Sequence, residues 1–196
     1  MNIINLNINS SPQDCYYILD SNVWLPILGL DDEPTSSHYQ IFFDKLLKKE
    51  NPQILLCSVQ LSEILNRLLR FDARKVYDRK YDGKTGSIPK FTTFYKDEYR
   101  CSEDFKLKYE SIIDDISGFS YGFQMVEPSK FDFDALTNFE ADKMDFNDHY
   151  FCLLAKEYGA TIVTHDADFF GLDVNVATFN LRLYKAYTNS IKPKLI

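Results

Sequence analysis

Five carboxylates stand out by the places they occupy. Asp20 ends an apolar run at residues 16–19, in Ile18-Leu19-Asp20-Ser21-Asn22-Val23, and Glu63 falls in the first turns of the amphipathic stretch that follows a second run at 54–57. Asp166 and Asp168 follow a third run at 161–164, in Thr164-His165-Asp166-Ala167-Asp168-Phe169. Short apolar runs that stop at polar residues read as buried strands of a parallel sheet, and ligands of open sheets bind outside the carboxyl ends of the strands. Asp148 is different: its i+3 and i+7 neighbours, Phe151 and Ala155, belong to an apolar helical stripe, so it shares the inward face. A carboxylate facing inward is costly unless something cationic meets it. The chemistry to expect is that of an acid cluster that receives a positive partner.

Taken singly, each acid has an ordinary explanation. Asp20 suits a helix cap, Glu63 a solvated helix position, Asp148 the first turn of a helix, and Asp166 and Asp168 a turn. Acids at three strand ends and on one inward helical face are harder to assign to coincidence.

The elements that must position them alternate along the chain. Ile41, Phe42, Leu46 and Leu47 mark a helix between the first two strands, and Leu61, Ile64, Leu65, Leu68 and Leu69 mark a second, with Ser58 as its cap. Phe105, Tyr109, Ile112, Ile113 and Ile116 form a helical stripe between Ser102 and Gly118. A strand at 123–126 stops before Pro128; the stripe Tyr150, Phe151, Leu154, Ala155 and Tyr158 ends at Gly159; strands follow at 161–164 and 174–178, then a closing helix. This alternation predicts one α/β domain with a central, mainly parallel sheet flanked by helices on both faces. Residues 1–14 read as an N-terminal tail, 15–196 as the domain, and 71–101 as a basic, aromatic insertion with a loop at 81–90.

With 196 residues the chain is long enough for one domain and a sizeable core, and 45% hydrophobic with 26% charged residues excludes a disordered, collagen-like or coiled-coil chain. No apolar run approaches the roughly 18 residues of a membrane span, and the start lacks a leader pattern. Cys15, Cys57, Cys101 and Cys152 are far apart, without metal-site spacing, and read as reduced core thiols of a cytoplasmic protein. The net charge of -7 argues against bulk coating of nucleic acid. Residues 67–100 nevertheless hold ten cations against five acids, a local +5 that leaves -12 elsewhere. Arg67, Arg70, Arg74, Lys75, Arg79 and Lys80, interleaved with Phe71, Tyr77, Tyr81, Phe91, Phe94, Tyr95 and Tyr99, suit single-stranded nucleic acid, whose bases stack on rings while phosphates meet cations. The same composition equally fits a solvated helix with rings packed inward, or a surface for an inhibitory protein.

The chain resembles the PIN-domain nucleases, in particular the toxin ribonucleases of bacterial toxin–antitoxin pairs. The resemblance lies in Leu19-Asp20-Ser21-Asn22-Val23, Ser58-Val59-Gln60-Leu61-Ser62-Glu63-Ile64-Leu65-Asn66, Asp148-His149-Tyr150-Phe151-Cys152-Leu153-Leu154-Ala155 and Gly159-Ala160-Thr161-Ile162-Val163-Thr164-His165-Asp166-Ala167-Asp168-Phe169. It implies a PIN-like fold and a Mg²⁺- or Mn²⁺-dependent endoribonuclease. Asp20, Glu63, Asp148 and Asp166 match the family's catalytic, metal-binding acids; Asp168 matches a frequent additional metal ligand; Ser21, Asn22 and Thr164 match polar supporting positions. Hard dications take oxygen ligands, and one or two of them can activate water and offset charge on a scissile phosphate. His149 and His165 are not needed and read as packing or surface residues. RNA is the implied substrate, with an antitoxin protein and a second copy of the chain as further partners and no membrane. The segment 71–101 is longer, more aromatic and more basic than the usual connection in the small toxins. Other readings stay open: a PIN-like RNA- or protein-binding scaffold without nuclease activity; a haloacid-dehalogenase-type phosphatase, which wants a second Asp where Asn22 stands; and a receiver-like domain, for which acidic pairing is poor.

Overall fold

Tyr17-Ile18-Leu19, Ile54-Leu55-Leu56 and Thr161-Ile162-Val163 bury every residue, which is what strands covered on both faces require. They are the central strands of a six-stranded sheet in a computed structural model that describes residues 2–29, 36–129 and 131–191. The strands are β1 (Asn2–Asn5), β2 (Tyr17–Leu19), β3 (Ile54–Leu56), β4 (Phe123–Met125), β5 (Thr161–Val163) and β6 (Asn175–Thr178). Their order is β1-β6-β5-β2-β3-β4, and all neighbouring pairs are parallel. The helices are α1 (Ser21–Ile27), α2 (Ser36–Leu47), α3 (Ser58–Tyr81), α4 (Phe91–Asp97), α5 (Glu103–Gly118), α6 (Phe133–Thr137), α7 (Phe146–Tyr158) and α8 (Leu181–Ile191).

Strand side chains alternate between two cores. Tyr17, Leu19, Ile54, Leu56 and Val163 pack with Trp24 of α1, Phe43 of α2, Ile64 of α3 and Ile112 of α5. On the opposite face Ile18, Leu55, Ile162 and Val176 meet Phe151 and Leu154 of α7 and Leu183 of α8. The expected α/β sandwich is therefore present, with a wholly parallel sheet.

Several local expectations change. Within the stretch read as a tail, Asn2–Asn5 pairs with β6 as an edge strand and buries Ile3. Cys57 occupies the N-cap of α3, while Ser58 is its first residue and its hydroxyl donates to the Glu127 carboxylate. α3 runs 24 residues to Tyr81, because no Gly or Pro interrupts it and Leu68, Leu69 and Ala73 prolong its buried stripe. The basic segment is thus half helix, and α4 folds back on it: Ala73, Phe94, Tyr95 and Tyr99 form a third, small core ringed by Tyr77, Tyr81 and Phe91. Most of its rings are packed inward rather than displayed, the Tyr99 hydroxyl donating to Asp72 at 2.7 Å. All four cysteines are free, but Cys101 is exposed and Cys15 half-buried, so only Cys57 and Cys152 are core thiols. Ser102 caps α5 by accepting from the Phe105 amide, and α7 ends at Gly159 in the left-handed region (φ 62°), as their residue types predict. No helix among the described residues is long and apolar enough to cross a membrane.

Candidate active site

From β2 the chain builds outward through β3 to β4, then returns to the other side of β2 to lay down β5 and β6. The seam between β2 and β5 is therefore the sheet's switch point, the place where open sheets part to admit a ligand. Asp20 emerges from β2 and Thr164 from β5, after the paired residues Leu19 and Val163. The Asp20 amide donates to the Val163 carbonyl at 2.9 Å, which locks the two strand ends together.

Asp20 occupies the N-cap position of α1 but its side chain caps nothing. It is only 7% exposed, and its Oδ2 accepts from the Thr164 hydroxyl and from Asn22 Nδ2, both at 2.6 Å. Asn22 also donates to Thr164 Oγ1 at 3.2 Å and accepts from the His165 amide at 3.1 Å, so it ties the two loops to each other. Burial pushes the Asp20 carboxyl up to about 6 despite the Thr164 hydrogen bond, and the nearby charges of Glu63 and Asp166 push in the same direction. Ser21 is fully buried behind it, and among the described residues its hydroxyl has no hydrogen-bond partner.

The first turn of α7 supplies Asp148, whose amide is capped by the Asp145 carboxylate at 2.9 Å. Burial pushes the Asp148 carboxyl up to about 7, helped by Asp145, Asp20 and Asp166. Glu63 of α3 is held from two sides, by Arg67 at 2.8 Å and by Asn147 Nδ2 at 2.9 Å. Asp166 lies on the exposed loop after β5, where its amide donates to Thr164 Oγ1 at 2.9 Å and its Oδ1 accepts from the Asp168 amide at 3.0 Å. Asp166 thus takes the turn role its type suggests while still facing the other acids.

Asp20, Glu63, Asp148, Asp166 and Asp168 line one polar cleft of about 400 Å³. The oxygen donors and the surplus of negative charge suit a hard divalent cation. Among the described residues, however, no three acidic, His or Cys side chains stand close enough together to hold an ion as they lie. Glu63 is drawn to Arg67 and Asn147, Asp20 to Thr164 and Asn22, and each would have to be shared with, or released to, an ion. Asp142, Lys143, Asp145 and Asn147 also border the cleft without having been singled out in the sequence. The clue to Asp145 was its position three residues before Asp148, ahead of an apolar stripe.

The histidines lie elsewhere. His149 Nε2 meets the Ala135 carbonyl at 2.8 Å, and His165 Nδ1 meets the Tyr39 hydroxyl at 3.0 Å. Of the six basic candidates on α3, Arg67 borders the acidic cleft and Arg70 the depression beside it. Arg74 sits over the Phe91 ring at 3.9 Å, Lys75 over Phe71 at 4.4 Å, Arg79 donates to the Lys75 carbonyl at 3.3 Å, and Lys80 pairs with Glu98. Those four lie outside the cleft because helical advance carries them past its end.

The family model of the PIN domain matches residues 17–175, a span from β2 into β6 that contains all five acids. Among solved structures, the crystal structure of PAE2754 from Pyrobaculum aerophilum is similar at 15% identity and a TM-score of 0.48, covering 94% of this chain and 96% of that one. Comparison with curated proteins finds no match. The chain belongs to the PIN domain family, whose members are generally nucleases and typically use divalent metals.

Proposed function

We propose that this chain is an endoribonuclease that hydrolyses RNA phosphodiester bonds with Mg²⁺ or Mn²⁺. The observation that supports this reading is the convergence of four acids from β2, α3, α7 and the loop after β5 on one cleft at the sheet's switch point. Asp20, Glu63, Asp148 and Asp166 would hold the ion, with Asp168 at the rim. When bound, a dication supplies a more acidic water and charge to offset the phosphate. The chain's own residues do the rest: Asn22 and Thr164 orient the Asp20 carboxylate, Asn147 orients that of Glu63, and Arg67 pairs with Glu63 until an ion takes its place. Arg67, like Lys143, also brings a positive charge to a predominantly acidic cleft that a phosphate must enter.

The test is cleavage of single-stranded RNA by purified protein with Mn²⁺ or Mg²⁺, and its loss in EDTA. Cleavage that persists in EDTA after contaminating ribonuclease is excluded overturns the reading, and RNA binding without cleavage under any ion makes the fold a scaffold. A phosphatase of the haloacid-dehalogenase type would release phosphate from small esters, but the position it needs as an acid is Asn22, which here serves as the clamp on Asp20. The toxin role, an antitoxin and a homodimer rest on the resemblance to toxin nucleases. Growth arrest on expression, relieved by a small DNA-binding protein encoded beside it, would support them. The free thiols accord with a reducing cytoplasm.

A further inference from the structure

Three recesses lie end to end along α3. The acidic cleft shares Glu63, Arg67 and Asn147 with a depression of about 540 Å³. That depression in turn shares Ser58, Ser62, Asn66 and Arg70 with a basin of about 580 Å³ where α3, α4 and α5 meet. Leu61, Leu65, Leu69 and Phe105 give the basin an apolar floor, and the exposed Arg70, Lys96 and Arg100 line it as well. Among the described residues none of these three cations forms an ion pair, although the whole chain carries a net charge of -7. The Arg70 guanidinium lies 5.2 Å from the centre of the Tyr95 ring. Tyr109, 42% exposed, stands beside Phe105 with the two rings within 20° of parallel.

Glu63 and Arg70 are separated by two helical turns, about 10 Å along the axis, so a strand whose phosphate sits among the acids reaches the basin within a few nucleotides. We infer that the basin holds an unpaired base of the RNA substrate, remote from the scissile bond, with its flanking phosphates against Arg70, Lys96 and Arg100. This rests on the ribonuclease reading and adds to it a binding subsite and a selection for unpaired strands. An apolar floor with an exposed ring is what a base's flat face seeks, and unpaired cations are what its phosphates seek. A duplex keeps its bases stacked and paired, and has none to offer. An acidic peptide would satisfy the cations, but the continuity with the acidic cleft favours the molecule whose phosphate must enter that cleft.

The experiment measures kcat/KM with Mn²⁺ on single-stranded RNAs from three to twelve nucleotides, for the parent, for Lys96→Ala with Arg100→Ala, and for Lys75→Ala with Arg79→Ala as a charge-matched comparison outside the groove. RNA binding by the EDTA-treated proteins is followed against salt. In the parent, kcat/KM rises with length by about tenfold or more, the equivalent of one stacked base. Lys96→Ala with Arg100→Ala loses most of that gain and lowers the salt slope by about 1.4, at 0.7 per phosphate contact, whereas the comparison pair retains the gain. If the first pair does not fold, Tyr109→Ala, which removes an exposed ring, gives the same length comparison. An unchanged length gain and slope would overturn the subsite while leaving the ribonuclease standing, and would point to a protein partner for the basin. A parent that cleaves no RNA overturns the ribonuclease reading and the strand path together.

Discussion

Thr164 and Asp20, 144 residues apart, meet at the β2–β5 seam, where the threonine hydroxyl donates to the buried carboxylate at 2.6 Å. The bond is short, as expected when the acceptor carries charge, and it counteracts the burial that pushes Asp20 up to about 6. It lets a negative charge persist in a place from which solvent has been removed, which an acidic site at this seam requires.

Thr164→Val nearly keeps the shape and removes both the donor to Asp20 and the acceptor for Asn22 and the Asp166 amide, of which only the first depends on the charge of Asp20. We expect a loss of about 1.5–3 kcal/mol at pH 8, where Asp20 is ionised, and a smaller loss at pH 5, where it is protonated. Denaturant unfolding at the two pH values measures both. Equal losses would mean that the hydroxyl supports the loop rather than the carboxylate.

Asp148→Asn should abolish cleavage while leaving the metal-free fold as stable as the parent or more so. It removes a charge that burial above all, and then Asp145, Asp20 and Asp166, make costly to hold. Mn²⁺ should raise the melting temperature of the parent more than that of the variant. A metal-free variant clearly less stable than the parent, yet still active, would make Asp148 structural.

The pH dependence of the metal-free protein follows from the same two groups. Asp20 and Asp148 bind protons in the folded state up to about pH 6 and 7, whereas in the unfolded chain they lose them near 3.8. Between those values the folded state holds more protons, so their contribution to stability falls as pH rises from about 4 through 7. In EDTA the parent should melt higher at pH 5 than at pH 8, and the gap should narrow in Asp148→Asn. A gap of the same size in the variant would refute this account.

Arg67→Met separates the two services of that arginine. Glu63 loses its 2.8 Å partner and the cleft loses a cation, so Mn²⁺ should bind up to about tenfold more tightly, a change of 1.4 kcal/mol. KM for RNA should rise, since the entering phosphate loses its positive neighbour. Calorimetric Mn²⁺ titration and steady-state kinetics read the two effects, and weaker Mn²⁺ binding would show that Arg67 positions Glu63 rather than competing for it.

The parallel sheet and its acid-bearing edges were legible because their signals are local. Burial on both faces forces uninterrupted apolar runs at Tyr17-Ile18-Leu19, Ile54-Leu55-Leu56 and Thr161-Ile162-Val163, and the residue after each run is then at the binding edge. Asp148 could be read for the same reason, since the spacing of Phe151 and Ala155 declares which way its helix face turns. What the cleft contains besides these acids depended on distances no spacing expresses. Asn147 reaches Glu63 across 84 residues, and Arg67, read from sequence as a contact for RNA, turns back to the same carboxylate. Asn2-Ile3-Ile4-Asn5, with only two apolar residues between asparagines, does not declare itself a strand and is one because it pairs with the edge of β6. The aromatic, basic segment has one composition whether its rings meet solvent or each other. Only the return of α4 onto α3 buried Phe94, Tyr95 and Tyr99 and opened a basin beside them, because packing between helices is settled by which surfaces come together and not by the sequence of either one.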